Sequence, residues 1–240
     1  MNIFKEIAEK FRTGDVLTRL LLINCGMFVL ILLLDVTFTL ISFGTEKFAA
    51  EVFQFPWNPI SLALRPWSVI TSLFTSYGLW HLLFNLFTLY WLGNIFLQYY
   101  TSNQLRGLYI LGGIAGMALF TATFLLVPLF HLKEWPSTMP IASAAILSFS
   151  SALAFRAPNH QEQIPVLGQV KIKYIIIALA LVDAALLPHV NPATDAAHLG
   201  AALIGWMFCR LIAKGKDLTA PVTAIAVWLY GLFSKRKQRQ

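Results

Sequence analysis

The run from Leu20 to Phe43 carries a single charged residue, Asp35, and no proline. A helix needs about 20 apolar residues to cross a hydrocarbon core about 30 Å thick, and this run supplies them. Further apolar runs lie at Leu79 to Leu97, Gly107 to Val127, Met139 to Phe155, Ile172 to Leu187 and Ala196 to Ala213, the fourth and fifth being short enough to need their flanks. Inside a bilayer the backbone must satisfy its own hydrogen bonds, and a helix does so within one segment. The expected fold is therefore an all-α polytopic membrane protein with six transmembrane helices.

The rest of the sequence agrees with a membrane solvent. Charged residues make up 12% of the chain and the mean hydropathy is +0.68, against roughly 25% charge in a soluble domain. The first apolar run is too long for the core of a cleavable leader and has no small-residue cleavage site behind it, so it is expected to stay as a membrane helix.

A net charge of +7 is a property of many nucleic-acid-binding proteins, but here the positions of the charges give another reason. Of the 18 Lys and Arg residues, only Lys47, Arg65 and Lys133 fall in one set of alternate loops, and the rest flank the other ends of the spans. By the positive-inside rule both termini are cytoplasmic. The basic excess then reflects topology and leaves no footprint for nucleic acid. Cys25 and Cys209 sit within apolar spans and suggest neither a disulfide framework nor a metal site. No cofactor motif is present, and nothing sets an oligomeric state.

The chain reads as one membrane domain over residues 1–240, with a core at 20–213. Ahead of it, residues 1–15 contain Ile3, Phe4, Ile7, Ala8 and Phe11 at helical spacing, as in a short helix lying in the interface. Between the first two spans, Phe53, Phe55, Trp57, Trp67, Phe74 and Tyr77 are punctuated by Pro56, Pro59 and Pro66, which suggests short helices set into the outer interface. Pro128 to Thr138 and Pro188 to Asp195 are expected to be the other outer loops, the second suited to act as a flexible cap. Residues 218–240 are expected to form a cytoplasmic amphipathic helix anchored by Trp228, Tyr230 and Phe233, with a basic tail near anionic lipid.

Against this background the polar residues inside spans carry the information. His81 and Asn85 lie in WHLLFNL, Ser143 in MPIASAAIL and His198 in DAAHLGAAL. With the termini inside, spans two, four and six all enter from the outer face, so these residues share one depth just below the outer surface. An ionisable group at membrane depth is expensive and faces the bundle interior or a wet cavity. A serine and a histidine brought together there are a nucleophile and its base. His81 and Asn85 are one helical turn apart on one face.

These residues resemble the rhomboid family of intramembrane serine proteases, from about Arg12 to Arg210. The resemblance rests on His-x-x-x-Asn at His81 and Asn85, the serine of the fourth span and Ala197-His198 of the sixth, in the family's order. It implies that Ser143 is the catalytic nucleophile and His198 its general base, without a carboxylate. It also implies that His81 and Asn85, with the Ser143 amide, serve as oxyanion donors. The implied reaction is cleavage of transmembrane protein substrates near the outer interface, and the compact layout points to a bacterial cytoplasmic membrane.

Four positions depart from the family pattern. Gly-x-Ser-Gly reads Ile141, Ser143 and Ala144, the aromatic four residues after the serine is Leu147, and one sixth-helix glycine is Ala201. Ile141 is expected to narrow the cleft or displace the serine, and it favours the alternative of a silent relative that binds membrane clients. Ala142, Ala144 and Ala145 are expected to face Ala197, Gly200, Ala201 and Gly205, while Gly112, Gly113 and Gly116 give span three small packing faces.

The remaining polar residues have simpler readings. Ser148, Ser150 and Ser151 read as structural, and His131, His160 and His189 as solvated loop residues, His189 lying beside the proposed cap. Asp35 and Asp183 lack an obvious basic partner at their depth. Asp183, near the outer end of span five, can cap or pair; a transporter using these acids and the histidines is the more distant alternative.

Overall fold

The computed structural model describes residues 3–42, 48–128, 135–164, 168–185 and 193–225. Ten α-helices and two short antiparallel strand pairs are present among them. Helix α1 (Ile3–Thr13) is amphipathic and is followed by α2 (Val16–Ser42). The two are joined at Asp15, whose carboxylate accepts from the Thr18 N–H at 2.8 Å, and at Arg19, whose guanidinium donates to the carbonyls of Phe11 and Arg12.

The segment after α2 is made of short pieces, as its prolines and aromatics suggest: α3 (Phe48–Phe53), β1 (Phe55–Pro56), α4 (Pro59–Leu64), α5 (Ser68–Thr71) and a 3-10 turn (Ser72–Phe74). Side chains tie it together. Arg65 and Trp67 donate to the carbonyls of Glu51 and Val52, and Thr71 donates to that of Phe53 at 2.8 Å. Asn58 caps α4 through the Ile60 N–H.

The longer helices follow: α6 (Leu79–Phe96), α7 (Ser102–Leu126), α8 (Ala142–Arg156), α9 (Ile172–Ala185) and α10 (Ala193–Ile212). A full capping box of Thr101 and Gln104 starts α7. These five helices and α2 coincide with the six apolar runs. Among the described residues, α2, α7 and α10 are long and apolar enough to cross a membrane. Helices α8 and α9 are shorter, and α6 is interrupted by His81, Asn85 and Asn94.

Strands are a correction to the all-α expectation. Strand β1 pairs with β2 (Thr138–Met139), so Met139 belongs to a strand and α8 begins later, at Ala142. Strands β3 (Gln161–Ile164) and β4 (Gly168–Lys171) form a hairpin between α8 and α9, with Gly168 at a φ of +73° where the chain turns. Helix α10 starts at Ala193, so Asp195 lies in its first turn and not in the preceding loop. A helical segment begins at 220–225; the rest of the expected tail helix, with Trp228, Tyr230 and Phe233, lies outside the described residues, as do His131 and His189.

Helix α10 packs against α7 and α8, and small residues permit it. A Cβ on Gly205 would run into the Ser148 carbonyl and Ser151 Oγ of α8, whereas one on Gly200 would come within 2.8 Å of the Ala115 carbonyl of α7. Gly200 therefore serves the α7 contact, not the expected α8 contact. Gly116 admits Ala144 and Ala197, and Gly112 admits Ser148. The three deeper serines act as expected: Ser148 donates to the Leu108 and Ala145 carbonyls, Ser150 to that of Ile146, and Ser151 to Ala202 across the α8–α10 contact.

Outward faces are apolar. Leu40, Ile41, Trp80 and Leu126 are each more than 70% exposed, an arrangement that water would penalise and lipid does not.

Candidate active site

The three helices that carry His81, Ser143 and His198 present those residues near their N-terminal ends, at one end of the bundle. Ser143 is 6% exposed and its Oγ lies 2.8 Å from His198 Nε2. The pair opens onto a cavity of about 680 Å3, lined by apolar residues such as Leu92, Ile146 and Ile176 together with Asn85, Asp183 and Asp195.

The local backbone explains how the serine is held. Ile141 occupies the N-cap of α8, where it offers no side-chain acceptor, and its own N–H donates to the Ser72 carbonyl at 2.8 Å. The first N–H groups of a helix have no intrahelical acceptor. With an isoleucine in place of a capping serine or aspartate, the Ser143 N–H stays available beside its own hydroxyl, at the positive end of the helix dipole.

Ile141 is fully buried and does not line the cavity. Its side chain points toward Gly113 of α7, where an added Cβ would sit 3.3 Å from Ile141 Cγ2. The expectation that Ile141 narrows the cleft is thus corrected: α7 has a glycine where the branched side chain goes. Leu147, at the position of the family's aromatic, lines the cavity.

His81 and Asn85 are both buried on α6. The Tyr77 N–H donates to His81 Nδ1 at 3.3 Å, which in a neutral ring leaves the proton on Nε2. That tautomer turns a donor inward. Asn85 donates one amide hydrogen to Ser76 Oγ at 3.3 Å and lines the cavity.

Sequence reasoning missed the most consequential neighbour. Asp183 of α9 is 8% exposed, with Oδ2 3.2 Å from His198 Nε2 and Oδ1 3.3 Å from His81 Nε2. The second contact is close but poorly aligned, and neither atom has a hydrogen-bond partner among the described residues. Asp183 therefore has two basic partners, supplied by helices remote in sequence, and only its position near the outer end of a span hinted at this. Asp35 has a different fate, accepting from the Ala49 N–H at 2.8 Å and so capping α3. His160, expected to be solvated, instead bonds Tyr99 Oη at 2.7 Å and Glu162 Oε1 at 2.9 Å next to the β3–β4 hairpin.

A buried polar chain also braces the site from behind. Asn24 Nδ2 donates to Tyr109 Oη at 3.2 Å, and Tyr109 Oη donates to the Leu73 carbonyl at 2.7 Å. This links α2, α7 and the turn whose Ser72 carbonyl holds Ile141.

Chemically, the arrangement offers a hydroxyl beside an imidazole, with inward-facing N–H donors around them. Among the described residues there is no cluster of His, Cys, Asp and Glu able to hold a metal ion. No curated protein matches the chain in sequence. The Rhomboid domain, however, matches residues 63–215, a stretch that includes all four site residues and α6 to α10. The chain is an integral membrane protein of the rhomboid family.

Proposed function

We propose that this chain is an intramembrane serine endopeptidase that cleaves transmembrane proteins near the outer interface of the membrane. The observation that carries the reading is the 2.8 Å approach of Ser143 Oγ to His198 Nε2 within a largely apolar cavity. A hydroxyl becomes nucleophilic when an adjacent base can take its proton.

In this reading His198 Nε2 accepts the Ser143 proton while Oγ attacks the scissile carbonyl carbon. The oxyanion receives N–H groups from His81 Nε2, Asn85 Nδ2 and the Ser143 backbone. Each preorganised donor in a water-poor site is worth about 2.7 to 4 kcal/mol in the transition state. Collapse expels the amine, protonated by His198, and water then releases the acyl group by the reverse sequence. A substrate helix hides its carbonyls in its own hydrogen bonds, so it must unwind locally first. Helix-breaking Gly, Pro or polar residues near the cut favour that step.

The topology that goes with this function has six spans, α2 and α6 to α10, with both termini in the cytoplasm of a bacterium. The site then opens at the outer leaflet. Helix α1 and residues 218–225 lie in the inner interface.

The test uses the protein in liposomes with a single-span model substrate. Wild type is expected to cleave, and Ser143→Ala and His198→Ala each to abolish cleavage while leaving the protein folded. Cleavage absent from folded wild type, with retained binding of the substrate, favours the client-binding relative instead.

A further inference from the structure

The geometry points to Asp183 as an internal occupant of the oxyanion subsite, a carboxylate that a substrate carbonyl must displace. This inference rests on the protease reading above. It begins with the two contacts of the carboxylate. One oxygen faces His81 Nε2 at 3.3 Å, the donor expected to receive the oxyanion, and the other faces His198 Nε2 at 3.2 Å, the nitrogen that must accept the serine proton.

A triad carboxylate has a different place. It bonds the ring nitrogen remote from the serine, where it orients the imidazole without competing for the proton. Asp183 instead shares Nε2 with Ser143 Oγ. When Nε2 carries a proton, the carboxylate attracts it, and that nitrogen cannot act as base toward the hydroxyl.

The carboxylate also has the shape of what the reaction produces. Its O–C–O group, spanning His81 and His198 beside the serine, matches in shape and charge the carboxylate that hydrolysis of an acyl-serine releases. Asp183, 3.3 Å from His81 Nε2, and a scissile carbonyl cannot both occupy the space in front of that donor. Nor can they be close neighbours during attack, because a developing oxyanion next to a carboxylate suffers like-charge repulsion. Removal of the carboxylate from the subsite therefore precedes chemistry.

The position of Asp183 on α9 makes such displacement feasible. On either side of the cavity-facing carboxylate's helix, Ile177, Leu181 and Val182 are 45 to 66% exposed. Helix α9 meets α8 and, less extensively, α6, and takes no part in the α7–α8–α10 contacts that hold Ser143 to His198. A side-chain rotation or slight tilt of α9 withdraws the carboxylate and leaves the serine and imidazole in place.

If the subsite is free for only a fraction of the time, apparent reactivity falls to that fraction, so occupancy of about nine-tenths gives about a tenfold loss. Emptying the subsite by Asp183→Ala is then expected to raise both the rate of Ser143 labelling by an alkyl fluorophosphonate and kcat/KM for a liposome substrate by up to that factor. Excess sodium acetate, a free carboxylate able to refill the site, should slow Asp183→Ala and leave wild type unaffected, with chloride at equal ionic strength as control. The isosteric Asp183→Asn, which drops the charge with little change of shape, should fall between them and guards against loss of fold in the alanine variant.

Slower labelling and lower kcat in folded Asp183→Ala and Asp183→Asn would show that the carboxylate assists the chemistry, overturning the proposal. Unchanged rates with no acetate effect overturn it too. If wild type neither cleaves nor labels, the protease reading fails separately. Occupancy is then read from alkylation of Ser143→Cys by a water-soluble maleimide, with Cys25 and Cys209 replaced by alanine. Faster alkylation on adding Asp183→Ala supports the occupant, and an unchanged rate refutes it.

Discussion

Gly205→Ala tests the claim that close packing of α8 and α10 is what joins serine to histidine. The added methyl would fall onto the Ser148 carbonyl and Ser151 Oγ, and even its third neighbour, the Ala152 nitrogen, would be only 2.8 Å away. Non-bonded contacts to carbon settle at about 3.5 Å or more, so that third contact alone asks the helices to separate by about 0.7 Å. The atoms it strikes are backbone or a serine already committed to a cross-helix bond with Ala202 at 2.9 Å, and neither can swing aside freely.

Two effects should follow. Overpacking typically costs about 1 to 3 kcal/mol of stability, and loss of the Ser151 bond adds about 1 kcal/mol. A shift of this size moves Ser143 and His198 from 2.8 Å to the edge of hydrogen-bonding range. Misplacement by about 1 Å costs on the order of a hundredfold in rate. Thermal unfolding and liposome cleavage kinetics read the two effects. Gly26→Ala is the matched control: it lies in α2, and its Cβ would meet nothing within 4 Å. Gly205→Ala with wild-type kcat/KM and unfolding temperature would refute the reasoning, since the dyad would then not depend on that contact.

Other perturbations address the donors and the framework. Asn85→Ala is expected to lower kcat by about 10² to 10³ with a smaller change in KM, as removal of a transition-state donor does; steady-state kinetics at saturating substrate measure it. Tyr109→Phe removes the hydroxyl between Asn24 and the Leu73 carbonyl, leaving buried groups unpaired at a cost of about 1 to 3 kcal/mol, visible as a lower unfolding temperature. Asp15 has its carboxyl held below the usual carboxylate range, first by the Thr18 backbone N–H. A depressed folded value means that its stabilisation is present above the ordinary carboxylate pKa and is lost as pH falls through the lower folded one. Unfolding temperature should therefore drop in acid more steeply for wild type than for Asp15→Asn.

The depth of each site residue was legible because hydropathy locates helix ends, and alternating topology then says which ends share a surface. That is enough to group His81, Asn85, Ser143 and His198 at one end of the bundle. It could not pair residues laterally. Asp183 reads as partnerless because the only relation visible in sequence is its own helix, whereas its two imidazoles come from α6 and α10. Gly200 and Gly205 show the same limit. Both read as small residues for the α8 contact, yet the helix turns one toward α7 and the other toward α8.

Ile141 shows how a local departure can be absorbed by a distant one. Judged beside the serine alone, a branched side chain belongs in the cleft. In the fold its backbone N–H is drawn to the Ser72 carbonyl, and its side chain is directed into the core, where Gly113 leaves room. The hydrogen bond sets where α8 begins, and the lack of a capping side chain leaves the helix's first N–H groups without a side-chain acceptor from the N-cap. A residue that looks like a defect in the motif thus fits the site through α7. Its effect on activity must be judged together with Gly113, because substituting either one changes the space available to the other.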